Sequence, residues 1–253
     1  KNLHLVNNAT YGFRVLAGCR AYLLPHQIST VARCFETSPV RYMLADEVGL
    51  GKTVEACSIL SILASENKDL RVLIIVPGAL ISQWKNELHY KYGLDASVAS
   101  ALSRICLLPL EDVGKSISIL FAKWDLAIVD ETHRLLANDD WYNHIQALSR
   151  RVTHILLLSA TPIQDRNEEY RRLLALLNPE QYENMTAERF AWMVKRQKRI
   201  QKSANLLLGY LERYDEYTEI ILDDLKTIVE TLEDSALEKM VDEIDLSAED
   251  QGL

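Results

Sequence analysis

Between Tyr22 and about Leu177, short and almost wholly apolar runs alternate with longer stretches whose apolar residues recur every three or four positions. The runs at 42–45, 72–76, 104–108, 126–129 and 155–158 predict strands buried on both faces, because half-buried strands alternate apolar with polar residues and these do not. The intervening stretches predict helices over 53–65, 79–91, 141–151 and 168–177, with turn signals such as Pro77-Gly78 and Asn178-Pro179 between elements. Strand and helix in strict alternation imply an α/β fold, a parallel sheet flanked by helices.

After Pro179 the strand signal stops. Residues 186–248 read as helices, with a helix start at Thr186 and an amphipathic, strongly acidic stretch over 223–243. This predicts three segments: an N-terminal extension over 1–20, an α/β lobe over 21–180 and a helical, acidic appendage over 181–253. The basic run Lys195, Arg196, Lys198, Arg199 and Lys202 reads as a solvated helix face, with contact to phosphate the alternative.

Composition changes this picture in one respect. The 253 residues are 48% hydrophobic and carry a formal net charge of −8, which by itself argues against a partner rich in phosphate. The acidity is local, however: residues 212–250 hold 15 acidic and 3 basic side chains, leaving 25 basic against 21 acidic in residues 1–211. No apolar stretch approaches the roughly 20 residues that span a bilayer, and the first ten residues lack the pattern of a signal peptide. The expectation is an intracellular chain with no membrane partner. Cys19, Cys34, Cys57 and Cys106 are too scattered for a zinc or redox pair and read as buried thiols.

The candidate chemistry sits at strand ends. Residues 42–53 place a strand, a glycine-bearing turn and a helix start in succession, the order a phosphate cradle needs. Gly49 and Gly51 let backbone N–H groups turn inward, Lys52 would reach the β- and γ-phosphates, and the Thr53 hydroxyl would hold magnesium. Asp46 stands where the full phosphate-loop pattern has glycine. Asp130 and Glu131 close an apolar strand well downstream; there Asp130 would serve the magnesium ion and Glu131 would activate a water. Ser159, Ala160 and Thr161 end another strand with small and hydroxyl side chains placed to sense a γ-phosphate. Upstream, Gln27 has the amide to read both a donor and an acceptor on adenine, or to serve a helix start. Tyr22 is a candidate to stack on a base or to pack in the core.

In this order the segments Leu24-Pro-His-Gln27, Ala45-Asp-Glu-Val-Gly-Leu-Gly-Lys-Thr53, Ile75-Val-Pro-Gly-Ala-Leu-Ile-Ser-Gln-Trp84, Asp130-Glu-Thr-His133 and Ser159-Ala-Thr-Pro162 resemble the Swi/Snf-type ATPases of superfamily II over about residues 20–180. The likeness is strongest to the group containing a bacterial RNA-polymerase-recycling ATPase. The resemblance implies a RecA-like first lobe that uses ATP and magnesium. Asp46, Gly49, Leu50, Gly51, Lys52 and Thr53 would lie on the nucleotide, Gln27 on its base, and Ser159 to Thr161 would couple hydrolysis to motion. Pro77, Ser82, Gln83 and Trp84 would lie on the nucleic-acid backbone, with helix packing the alternative for Trp84.

Two departures from the family pattern stand out: Thr132 replaces the usual alanine, and residues 93–123 are short. Nothing after Thr161 resembles the Gly-Arg-x-x-Arg motif of a second lobe, so the resemblance implies a longer protein. It further implies double-stranded DNA as the track, RNA polymerase or other proteins as partners, and the prokaryotic cytosol or nucleoid as location. A superfamily II RNA helicase and a nucleotide-gated binding module remain the competing readings.

Overall fold

The computed structural model describes residues 15–45, 51–159, 167–211 and 226–229. The chain divides into two compact units, Lys1–Asn184 and Met185–Leu253.

In the first unit six strands form one sheet, each pairing parallel to its neighbours, in the order β1-β6-β5-β2-β4-β3. They are β1 Arg41–Leu44, β2 Val72–Val76, β3 Ser97–Val98, β4 Ile105–Pro109, β5 Leu126–Val129 and β6 His154–Leu158. The expected strands are present to within a residue at each end. The addition is β3, a two-residue edge strand exposed at both positions and therefore carrying no apolar signal.

Helices cover both faces. Alternate residues Val72, Ile74 and Val76 of β2 and Ile128 of β5 pack with Val31 and Cys34 of α1 (Pro25–Cys34), Ile59 and Leu60 of α2 (Lys52–Glu66), and Trp84 and Leu88 of α3 (Ile81–Tyr92). The residues between them, Leu73, Ile75, Ala127 and Val129, pack on the other side. There they meet Ile119 of α4 (Ile117–Leu120), Leu135 of α5 (Thr132–Leu136), Ile145 of α6 (Asp139–Ser149) and Leu173 of α7 (Asn167–Leu177). The period of two thus divides one apolar run between two cores. A short helix α8, Pro179–Tyr182, follows α7.

The second unit contains α9, a 25-residue helix over Ala187–Leu211. Thr186 Oγ1 accepts the Arg189 N–H at 3.3 Å, the capping contact expected of a helix start there. The basic run lies on this helix, with Lys195, Lys198, Arg199 and Lys202 exposed and the Arg196 guanidinium 5.1 Å from the Trp192 ring. Of the acidic stretch over 223–243, residues 226–229 are helical and the rest lies outside the described residues. Among the described residues no helix is long and apolar enough to cross a membrane.

Two polar contacts fix the β1 edge. Arg41 Nε donates to Leu177 O at 2.6 Å, Nη1 to Val152 O and Thr153 O, and Nη2 to Ser149 O and Leu176 O, both at 2.9 Å. A single guanidinium thereby satisfies carbonyls at the C-terminal ends of both α6 and α7. Beside it the Val40 N–H donates to His154 Nδ1 at 3.0 Å.

Replacing Arg41 with Ala should destabilise the unit by about 2–4 kcal/mol, since several carbonyls lose a charged donor at once. Lys should not restore it, having no fork to reach them; urea unfolding measures both. Burial holds the His154 imidazole below its ordinary pKa of 6.5, and Arg41 adds to that against Asp125. The folded state therefore binds fewer protons than the unfolded one near that pH, and its stability is lost as the pH falls below about 6.5. Urea midpoints between pH 7.5 and 5 should drop for the wild type, with a shallower fall for His154→Asn.

Candidate nucleotide site

All strands point the same way, so their carboxyl ends form one rim. Leu44 of β1 is in register with Leu158 of β6, and Val129 of β5 with Leu157. The segments that leave β1 and β5 therefore start on either side of β6, two strand spacings or about 10 Å apart. Between them the Ser159 N–H donates to Leu44 O at 3.0 Å, and Ser159 is buried. Ala160 and Thr161 lie outside the described residues, as do Asp46, Gly49 and Leu50.

From the β1 side, Gly51 caps α2 with φ +90°, a conformation that favours glycine. A Cβ there would lie 2.2 Å from Gln27 Nε2. Lys52 and Thr53 open the helix, half-buried, with the positive end of its backbone dipole beside them. Gln27 is 4% exposed; its Oε1 accepts the Leu24 N–H at 2.9 Å, so the amide serves the start of α1 while its nitrogen faces the phosphate-loop glycine. Tyr22 is 87% exposed, which removes core packing as its role.

From the β5 side, Asp130 is 7% exposed. Its Oδ2 accepts Trp84 Nε1–H at 2.9 Å and its Oδ1 the Glu131 N–H at 2.8 Å. Burial pushes its carboxyl pKa up, opposed by those two donors; the Glu131 charge adds to the rise and the Lys52 charge opposes it. The start of α2 and the acidic pair thus lie at the same rim of the sheet, one on each side of β6. Glu131 takes up φ +52° at the N-cap of α5, a strained conformation for a residue with a side chain. His133 Nδ1 stands 3.1 Å from Glu131 Oε2, within ion-pair range but not aligned as a hydrogen bond. Thr132 is fully buried, and its Oγ1 has no hydrogen-bond partner among the described residues.

A lysine at a helix N-terminus facing a carboxylate across one strand is a phosphate-and-cation site in outline. Residues 26–108 and 102–250 match the model of the SNF2-related domain. The chain belongs to the SNF2 family. It is 34% identical over 195 residues to the RNA polymerase-associated protein RapA of Pseudomonas putida, covering 69% of this chain and 21% of that protein. It is 30% identical over 258 residues to RapA of Yersinia pseudotuberculosis, covering 93% and 26%. The chain thus spans between a fifth and about a quarter of the length of these curated relatives. In fold it matches the Sulfolobus solfataricus SWI2/SNF2 ATPase core in complex with dsDNA, with a TM-score of 0.60 at 18% identity over 87% of this chain and 60% of that one. The six-stranded parallel lobe therefore has the RecA-like fold of a SWI2/SNF2 ATPase core, and the chain contains an SNF2-related domain.

Within this SNF2 domain the side chains expected to lie on nucleic acid divide into buried and exposed. Pro77 is buried and Trp84 is 0% exposed, so neither side chain reaches a ligand at the surface. For Trp84 the packing alternative is the one its burial matches. Ser82 and Gln83 remain, exposed on the first turn of α3.

Sequence reasoning missed His133 beside Glu131 and the Glu111–Arg134 pair. His133 was within the quoted motif but had no role assigned to it. Glu111, in the 3-10 turn Leu110–Lys115, accepts the Gly78 N–H on Oε2 at 2.9 Å and Arg134 Nη2 on Oε1 at 3.2 Å. Desolvation raises the Glu111 pKa, but its own N–H, that of Gly78 and the charge of Arg134 outweigh it and hold the carboxyl below its usual range. No local pattern signals this bridge, because its three members come from separate elements, two 3-10 turns and α5.

Gly51→Ala should lower the stability of the domain by about 1–2 kcal/mol, the strain of a side chain in the left-handed region. Urea unfolding of the variant checks it; an unchanged midpoint would mean residue 51 has no need of positive φ.

Proposed function

We propose that this chain is the ATP-binding first lobe, residues 21–180, and helical appendage, 181–253, of a motor that couples ATP hydrolysis to movement along double-stranded DNA. The observation that carries the reading is the placement of Lys52, at the N-terminus of α2, and the buried carboxylate of Asp130 at the same rim of the sheet, on either side of β6. The residues fit magnesium-bound ATP. A glycine turn without room for a Cβ precedes the helix, and a buried carboxylate stands opposite, its pKa raised by burial that a cation would offset.

Lys52 and the amides from Gly49 to Thr53 hold the β- and γ-phosphates, while Thr53 and Asp130 hold magnesium, which when bound neutralises charge on the phosphates. Glu131 orients a water and takes its proton, and His133 beside it limits the carboxylate's freedom. Gln27 reads the adenine edge, and by similarity to the family Asp46 and Leu50 are further proposed nucleotide-binding residues. Ser159, Ala160 and Thr161 pass the state of the γ-phosphate to the rest of the molecule. Arginines from a second lobe elsewhere in the longer protein complete the site, a contribution worth roughly 10³–10⁵ in rate in related enzymes.

The DNA assignment draws on similarity to the Sulfolobus core in complex with dsDNA, and on the exposed Ser82 and Gln83. RNA polymerase is the proposed partner by similarity to RapA, and the cytoplasm the proposed location.

In the full-length protein, Glu131→Gln should keep ATP affinity while hydrolysis falls by about 10²-fold or more, and Lys52→Ala should lose ATP affinity. Duplex DNA, and not RNA, should stimulate the wild-type ATPase. Stimulation by RNA alone would indicate an RNA helicase, and normal function of Glu131→Gln in cells would indicate a nucleotide-gated binding module.

A further inference from the structure

Trp84 is buried in the core, yet its indole N–H finds a partner remote in sequence, Asp130 Oδ2. A buried N–H needs an acceptor, but a carboxylate is a costly one to bring there for that purpose alone. The benefit falls on the carboxylate. With Oδ1 taken by the Glu131 N–H and Oδ2 by Trp84, turning the Asp130 carboxylate breaks one bond or the other.

A second contact joins the same two stretches of chain. Gly78, at the start of the 3-10 turn Gly78–Leu80 that leads into α3, donates its N–H to Glu111; Glu111 accepts Arg134 of α5, the helix capped by Glu131. Residues 78–84 are thus tied to residues 130–134 at both ends, once in the dry core and once near the surface. Between the ties stand Ser82 and Gln83, exposed, uncharged donors of the kind that position a phosphate backbone.

We infer that Trp84 is a positioning residue that aims the Asp130 carboxylate, and that with Glu111 it braces the exposed turn of α3 against the carboxylate pair, so that a ligand on Ser82 and Gln83 is felt at Asp130. This rests on the reading of Asp130 as the magnesium carboxylate. Partners that orient a metal-binding side chain are worth about 10- to 100-fold in metal affinity or activity.

The test uses the full-length protein, a fluorescent ATP analogue titrated with magnesium or with EDTA, and ATPase rates with and without duplex DNA. Trp84→Phe keeps the ring and removes only the N–H. It should weaken nucleotide affinity about 10- to 100-fold in magnesium and leave it unchanged in EDTA, a split that a packing defect would not produce. Glu111→Gln, at the surface, should lower the DNA-stimulated rate more than the basal one, reducing their ratio by about 2- to 30-fold. Trp84→Phe with wild-type affinity in magnesium overturns the inference. So does Glu111→Gln with an unchanged ratio, which also decides the matter if Trp84→Phe does not fold. A wild type whose nucleotide affinity is indifferent to magnesium instead overturns the reading of the site itself.

Discussion

A carboxylate at the tip of a strand otherwise made of Leu, Ala, Ile and Val must be compensated, and the compensation of Asp130 organises the lobe. Desolvation drives it toward the protonated form, and the opposing contributions come from three places: an indole on α3, a backbone N–H at the head of α5 and an ammonium at the head of α2. Each has to arrive from a different element. The burial of α3 against one face of the sheet delivers the first, the left-handed turn at Glu131 the second, and the register of β1 on β6 the third. The net balance still leaves the pKa above its ordinary value, so the site retains a demand for positive charge that a divalent cation would meet.

What was legible in the sequence follows the same logic. β2 and β5 were readable to the residue because burial on both faces leaves only apolar side chains, and α2 and α7 because their ends are marked by glycine and acidic residues. β3 was not, being two residues long and exposed. The α1 helix lay under a motif read for its chemistry, although Pro25 at its first turn is a helix-start signal.

The site shows a sharper limit. Motif spacing places Lys52, Asp130 and Ser159 at strand ends because strand ends are where such loops occur. It says nothing about which face of α3 turns inward, and so Trp84 was equally compatible with the surface and the core. The Gly78–Glu111–Arg134 bridge depends on two 3-10 turns and a helix meeting, and Thr132 illustrates the converse: a substitution visible in the sequence whose buried hydroxyl acquires no partner among the described residues.

The strand order has a consequence for how such a lobe is made. β1 has one neighbour, β6, and β6 is the last strand of the sheet to be synthesised among the described residues. While the ribosome is still translating the stretch between them, β2, β4 and β5 can assemble, but the glycine turn has no sheet to anchor it. Only when residues 154–158 slot between β1 and β5 does the sheet become continuous. Closing that gap joins segments more than a hundred residues apart, the kind of distant pairing that slows folding. Until then β1 has no partner strand, and an unpaired strand is open to wrong pairing.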